Sequence, residues 1–169
     1  MPTVQHTRPQ NTGGGVEPVS TAYHNLIHLL ENAHQRLLDV IRDDLDRNGY
    51  PNLTPLQALL LFNIGDETLS IGDLMRRGYY TGTNATHNIK KLVKLGLLEH
   101  QRSTVDRRAA QIKLTDAGFK IQHLIKSLFK RHANAIGPAG GVTVDEMVVL
   151  NKTIEHLERF WVDWVLYRR

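Results

Sequence analysis

The sequence predicts a mainly helical fold with one small β-hairpin, and three observations lead to this prediction. Two long stretches near the ends of the 169-residue chain carry apolar residues at helical spacing. Two short helices around Gly78 are expected in the middle of the chain. Between Gly96 and Gly118, a helix end, two short apolar strands and a new helix start follow one another. We therefore expect a helix-turn-helix followed by a hairpin, framed by helical ends.

The first long helix is predicted from about Val19 to Asn48. Its apolar residues recur at steps of three and four, no proline interrupts them, and Gly49 to Asn52 end the helix. Residues 1–17 contain Gln, Pro, Thr and three consecutive glycines without an apolar core. We expect a flexible tail there and no secretory signal peptide.

A short helix and then a helix-turn-helix around Gly78 are predicted next. Thr54 caps a helix that starts at Pro55 and closes near Gly65, and Ser70 to Arg77 form the next short helix, with Ile71 and Leu74 inward. The segment from Thr81 to Asn84 then opens a further helix. This last helix has two opposite faces, an apolar one with Ala85, Ile89, Leu92 and Val93 and a polar, cationic one with Thr83, His87, Lys90 and Lys94. A recognition helix needs that arrangement, because one face packs while the other reaches DNA.

The hairpin is predicted directly after this helix. Gly96 suits the left-handed position that ends a helix. Leu97-Leu98 and Ile112 to Leu114 supply strand segments on either side of a polar loop, Arg102 to Arg108. Thr115 offers a hydroxyl cap to the next helix. The loop carries three arginines and one aspartate, so it can present cations outward.

Two more helices are expected at the C-terminal end. One runs from Thr115 to Ala135 and is broken by Gly137 to Gly141, and the other is capped by Thr143 with Glu146 as a capping box. The last helix has an apolar seam at alternating steps of three and four. A seam with two tryptophans predicts a dimer interface, the alternative being core packing within one chain. Its members are Met147, Leu150, Ile154, Leu157, Trp161 and Trp164.

Charge is concentrated in the middle of the sequence. Between Met75 and Lys113, nine Lys or Arg face two acidic residues, a balance of +7 within a chain of net charge +4. This asymmetry is typical of a nucleic-acid surface on a separate scaffold. The absence of cysteine excludes disulfides and thiolate metal sites. No apolar run is long enough to span a membrane, so we expect a soluble, cytoplasmic protein, associated with the nucleoid when bound to DNA.

The hairpin region resembles the MarR family of bacterial winged-helix transcription regulators. The likeness rests on Gly96-Leu97-Leu98-Glu99, the spacing to Asp106-Arg107-Arg108, and Leu114-Thr115 leading to Gly118. It implies a homodimer built by the terminal helices (18–48 and 119–169) and a DNA-binding lobe (54–118), together forming one protomer from 18 to 169. Two lobes would lie on half-sites one helical turn apart in a pseudo-palindromic operator.

The resemblance also implies individual roles. Arg108 is expected in a minor groove, with Asp106 orienting it and Arg107 on a phosphate. His100 and Gln101 depart from the family, where arginines are common, and no base-reading role is assigned to Tyr79-Tyr80. The candidate DNA contacts are Thr83, Asn84, Thr86, His87, Lys90, Lys91, Lys94, Arg102, Arg107 and Arg108.

Small-molecule and metal sites have weaker signals. The family implies an effector pocket, which His28, Tyr79, Tyr80 or Trp164 could line, and no cofactor is required. His24 and His28 stand four residues apart with Glu31 on the same side, but no further ligand is apparent from spacing, so no metal site is predicted.

The function predicted is a DNA-binding transcription regulator, most simply a repressor released from its operator by a ligand. No phosphate loop, nucleophile elbow or zinc-protease helix is present, which argues against an enzyme. Two alternatives stay open. One is a winged-helix module that binds an acidic protein partner, and the other is an architectural DNA binder without sequence preference.

Overall fold

The computed structural model describes residues 18–76, 82–102 and 110–167 of the chain. By their contacts, the described residues form two units, which divide between Asp39 and Val40. The elements in chain order are α1 (Val19–Arg47), α2 (Pro55–Ile64), β1 (Leu69–Ser70), α3 (Ile71–Arg76), α4 (Gly82–Lys94), β2 (Leu98–Arg102), β3 (Ala110–Leu114), α5 (Asp116–Gly140) and α6 (Val144–Tyr167).

Helix α1 begins and ends close to the predicted residues, and its two parts differ in burial. From residue 18 to 39 no side chain is buried. Ile41 and Leu45, in contrast, are fully buried in the core of the second unit. Asp44, between them, accepts a 2.6 Å hydrogen bond from the Arg131 guanidinium of α5. The last turns of α1 are therefore part of the core that carries the hairpin.

One hydrophobic core holds the second unit together. It draws on every element from the end of α1 to α5, because each of these helices and strands turns an apolar face inward. Phe62 of α2 meets Phe129 of α5 edge to face, with ring centroids 5.1 Å apart. The fully buried side chains include Leu60, Leu61, Leu74, Ile89, Leu92, Ile112, Ile121 and Ile125.

Helix α2 begins at the predicted cap. The Thr54 hydroxyl accepts the Gln57 backbone N–H at 3.2 Å, and the Gln57 side chain accepts the Thr54 backbone N–H at 3.1 Å. This reciprocal pair is a capping box, which satisfies two amide groups that the helix itself leaves free. Pro55 follows the cap, and Gly65 ends the helix with a positive φ of 66°.

The hairpin belongs to a three-stranded antiparallel sheet with the order β1-β3-β2. Leu98 of β2 pairs with Leu114, and Leu69 of β1 pairs with Ile112. The sequence predicts β2 and β3 but misses β1, because a strand of two residues is too short to show an alternating pattern. Strand β2 is also longer than predicted, so Arg102 ends a strand and does not begin the loop.

The predicted break in α5 is wrong. The helix continues past Ala135 and through Pro138 to Gly140. A proline so near the end of a helix removes one intrahelical hydrogen bond, and the turns before it are held by their own bonds. Gly141 caps the helix, with a φ of 68° in the left-handed region and a backbone N–H that donates to the Gly137 carbonyl.

Helix α6 begins with the predicted capping box. Thr143 accepts the Glu146 backbone N–H, and the Glu146 carboxylate accepts the Thr143 backbone N–H at 2.8 Å and its hydroxyl at 2.7 Å. Hydrogen bonds from the backbone and then from the side chain of Thr143 lower the pKa of Glu146. No residue of α6 from 144 to 167 is buried.

Candidate nucleic-acid interface

Helix α4 has the two opposite faces that the sequence predicts. Ile89 and Leu92 are buried in the core. His87, Lys90, Lys91 and Lys94 are exposed on the other side. Three ammonium groups within two turns of one helix form a cationic strip, to which a phosphate backbone is the matching partner. We call Lys90, Lys91 and Lys94 the lysine strip.

For the N-terminal part of α4, the structure describes the backbone alone. Thr83 and Asn84 lie in the first turn of the helix, where side chains of a recognition helix reach base edges. Their side chains are outside the described part of the structure, as are those of Arg102 and of all residues from 75 to 85. Thr86 is half-buried. Tyr79 and Tyr80 lie outside the described residues, so their predicted role is untested.

The β2–β3 hairpin forms the wing, and its two strands pair at the base of the wing. Five residue pairs join the two strands, from Leu98 with Leu114 to Arg102 with Ala110. Across them, the Lys113 ammonium lies 2.9 Å from the Glu99 carboxylate. Lys113 is therefore neutralised by its neighbour and adds little to the basic surface. The wing residues Asp106, Arg107 and Arg108 lie in segment 103–109, outside the described residues.

A single threonine connects α4, the wing and α5. The Thr115 hydroxyl donates to the Gly96 carbonyl at 2.6 Å and accepts the Gly118 backbone N–H at 3.2 Å. The Thr115 backbone N–H donates to the Leu97 carbonyl. Gly96 has a φ of 69°, as predicted for a residue that ends a helix. We call this arrangement the Thr115 junction.

Gly118 completes the Thr115 junction by having no side chain. A Cβ atom there would lie 2.1 Å from the Leu97 carbonyl oxygen, well inside van der Waals contact. The sequence signature includes Gly118 but gives no reason for it. The structure supplies the reason, because the start of α5 lies directly against the chain that links α4 to β2.

The predicted seam of α6 is divided between half-buried and exposed residues. Met147, Ile154, Leu157 and Trp161 are half-buried. Leu150 is 50% exposed and Trp164 56%. Leu150 and Trp164 thus leave apolar surface exposed on this helix.

Trp164 also contributes to a concave surface near the end of α6. Its ring lies 5.7 Å from that of Phe160, measured between centroids. Together with Asp163 and Tyr167 of the same exposed helix face, they line an open depression of about 380 Å³. Of the other proposed effector residues, His28 is exposed on α1.

No candidate metal centre emerges from the described residues. His24, His28 and Glu31 are all exposed on α1. Across 18–76, 82–102 and 110–167, no group of three or more His, Asp or Glu side chains is placed to hold a metal ion. Over the same residues, the helices are too short or too polar to cross a bilayer.

The sequence is similar to those of known transcriptional regulators. A sequence model of the MarR family matches residues 52–109. The HTH-type transcriptional regulator PrsX of Escherichia coli is 30% identical over 142 residues, covering 80% of this chain and 82% of PrsX. The exopolysaccharide II synthesis transcriptional activator ExpG of Rhizobium meliloti is 28% identical over 139 residues, covering 82% of this chain and 71% of ExpG.

The fold likewise matches solved structures. The structure of Streptococcus pneumoniae FabT in complex with DNA superposes with a TM-score of 0.64 at 22% identity, over 83% of this chain and 98% of that one. This likeness confirms the predicted winged-helix fold. The sequence relatives are transcriptional regulators, so the prediction that the chain is not an enzyme is also confirmed.

Proposed function

Because the chain belongs to the MarR family of winged-helix transcription regulators, we propose that it binds a specific, two-fold symmetric operator as a homodimer. The observation that carries the proposal is the lysine strip on α4, opposite the buried side chains of Ile89 and Leu92. A helix held in this way presents its cations and its first turn to a groove without losing its packing.

Specific DNA binding is tested by selection from a pool of random duplexes at near-physiological salt. We expect a symmetric motif with half-sites one helical turn apart to be enriched. Binding without enrichment would favour an architectural role. An absence of binding, combined with capture of an acidic protein partner, would favour the interaction module.

The dimer part of the proposal is supported by the exposed seam of α6. Leu150 and Trp164 leave about half of their surface open, and a second copy of the same helix offers a matching apolar face. Changing Trp161 and Trp164 to alanine should shift sedimentation from dimer to monomer. An unchanged dimer would place the interface elsewhere.

We also propose that a small ligand controls operator binding. A compound that binds the DNA-incompetent spacing of the two lobes more tightly would release the operator. The aromatic depression at Phe160, Trp164 and Tyr167 supports a small aromatic effector. The test is loss of operator binding as such compounds are added, with Tyr167→Ala, which lies outside the α6 seam, as the variant that should no longer respond.

The sign of regulation depends on where the operator lies relative to the promoter. Repression is our prediction, although the relative ExpG is named an activator. A promoter–reporter fusion, with and without the protein, decides between them. Increased reporter output in the presence of the protein would overturn repression and leave DNA binding intact.

A further inference from the structure

A chain of side-chain hydrogen bonds runs from the start of α2 to α4. Gln57 is 2% exposed, and its Oε1 accepts the backbone N–H of Thr54 at 3.1 Å. The Gln57 Nε2 donates to the Oδ1 of Asn88 on α4 at 3.2 Å. The two residues are far apart in the sequence, so this bond ties the capped end of one helix to another helix.

The chemistry of these groups fixes which atom faces which. A backbone N–H can only donate, so the Gln57 atom that faces Thr54 must be the carbonyl oxygen. Its Nε2 can only donate, so the Asn88 atom that faces Gln57 must be Oδ1. The amide nitrogen of Asn88, with its two N–H donors, is therefore directed away from Gln57. Burial of Gln57 keeps water from competing for these positions.

Asn88 lies on the border between the two faces of α4. Lys91 follows it by three residues and is exposed, whereas Leu92 follows by four and is buried, and both positions are neighbours of Asn88 on the helix surface. Asn88 itself is half-buried. The border of a helix in a major groove faces the sugar-phosphate wall, and its centre faces the base edges.

We propose that Asn88 donates a hydrogen bond to a DNA phosphate and that Gln57 is the residue that positions it. This inference rests on the DNA-binding function proposed above. Reading adenine needs both the oxygen and the nitrogen of an asparagine amide. The oxygen of Asn88 already accepts one hydrogen bond from Gln57, which leaves it a single lone pair and fixes the orientation of the amide. The remaining donors fit a phosphate oxygen, which accepts hydrogen bonds and is the same at every base pair.

Three variants separate this role from simple packing. Asn88→Ala removes the donor. Asn88→Asp keeps an acceptor for Gln57 but turns a carboxylate oxygen toward the phosphate. Gln57→Glu retains the acceptor for Thr54, as in a common capping box, but has no donor for Asn88. The Asn88 amide must then turn its nitrogen toward Glu and its oxygen toward the DNA.

The measurement is the affinity of the full-length protein for a fluorescent duplex of random sequence, because a phosphate contact is independent of sequence. Burial raises the pKa of a carboxyl group, and a protonated carboxyl at position 57 would still donate to Asn88. The Gln57→Glu variant is therefore measured from about pH 7 to 9, and its loss of affinity should grow as this carboxyl ionises. We expect Asn88→Ala and Gln57→Glu each to weaken binding by about tenfold or more, the size of a hydrogen bond to a charged group. Asn88→Asp should weaken it further. A selected operator should lose affinity by the same factor.

The double variant identifies the positioning role. Gln57→Glu should cost nothing more in the Asn88→Ala background, whereas a loss that persists there would mean that Gln57 acts through helix packing and would overturn the proposal. Unchanged binding by Asn88→Ala, or no extra loss in Asn88→Asp, would also overturn it. These outcomes, with a wild-type protein that binds DNA, leave the proposed function intact. A wild-type protein that binds no duplex would refute both.

Discussion

The tight contact at Gly118 allows a quantitative prediction. In Gly118→Ala, the added Cβ would meet the Leu97 carbonyl oxygen at 2.1 Å and Leu114 Cδ2 at 3.2 Å. The first neighbour is backbone, and it accepts the Thr115 N–H, so it cannot turn away as a flexible side chain would. An ordinary contact distance returns only if α5 and the α4–β2 link separate by roughly 1.3 Å or more.

The expected cost follows from this displacement. Overpacking by one methyl group costs about 1–3 kcal/mol. For a chain of this size, each kcal/mol lowers Tm by about 2–4 °C, so Gly118→Ala should lower Tm by about 2–12 °C. Thermal unfolding followed by circular dichroism measures the shift at a fixed protein concentration.

A matched control lies in the same helix. At Gly140, an added Cβ would meet Ile136 Cγ1 at 3.5 Å, an ordinary contact, and the backbone is helical. Gly140→Ala should therefore leave Tm unchanged or raise it slightly, by reducing the freedom of the unfolded chain. Equal Tm values for the Gly118 and Gly140 variants would refute the argument that the junction excludes a side chain.

Three further predictions concern charge. Lys94→Ala should reduce the slope of log K against log salt by about 1, the share of a single neutralised phosphate, whereas exposed Lys152→Ala on α6 should leave it unchanged. An unchanged slope for Lys94→Ala would remove it from the interface. Glu146 has a lowered pKa, so its ionised form stabilises the fold above the ordinary glutamate range and this stability is lost as pH falls through the folded pKa. Glu146→Gln should show a smaller loss of Tm on acidification, and an identical pH profile would contradict this. Arg131→Ala leaves the partner carboxylate on α1 without its cation and should cost about 1–2 kcal/mol in denaturant unfolding, while Arg36→Ala, at a fully solvated pair, should cost less than about 0.5. Equal costs would show that the Arg131 pair is merely a surface contact.

The sequence predicts elements whose signals are local. Thr54-Pro55, Gly96 and the Thr143–Glu146 pair each satisfy backbone groups within one turn, so residue type alone indicates the helix end. The continuation of α5 past Pro138 is missed, because the cost of that proline depends on how much helix follows it. The helix ends two residues after Pro138, at Gly140.

The candidate nucleic-acid interface is likewise predictable only where its signal is local. The two faces of α4 follow from helical periodicity, which places the lysine strip opposite Ile89 and Leu92. Asn88 has no such signal, because its role depends on Gln57, which periodicity cannot bring near it. Nor can spacing reveal that Lys113 is paired with Glu99 across the strands and so contributes little to the basic surface.

The Thr115 junction affects which sequence changes the hairpin tolerates during evolution. Register of the hairpin is set at its base, where Leu98 pairs with Leu114 and Thr115 secures the neighbouring chain ends. Residues beyond Arg102 and before Ala110 are therefore not needed to align the strands, and longer loops carry a small entropic cost. Under the DNA-binding function proposed above, we expect substitutions and insertions there to alter which groove sequences are preferred while the folded state keeps its stability. Diversification of target sites and maintenance of the fold thus fall on separate parts of the same hairpin.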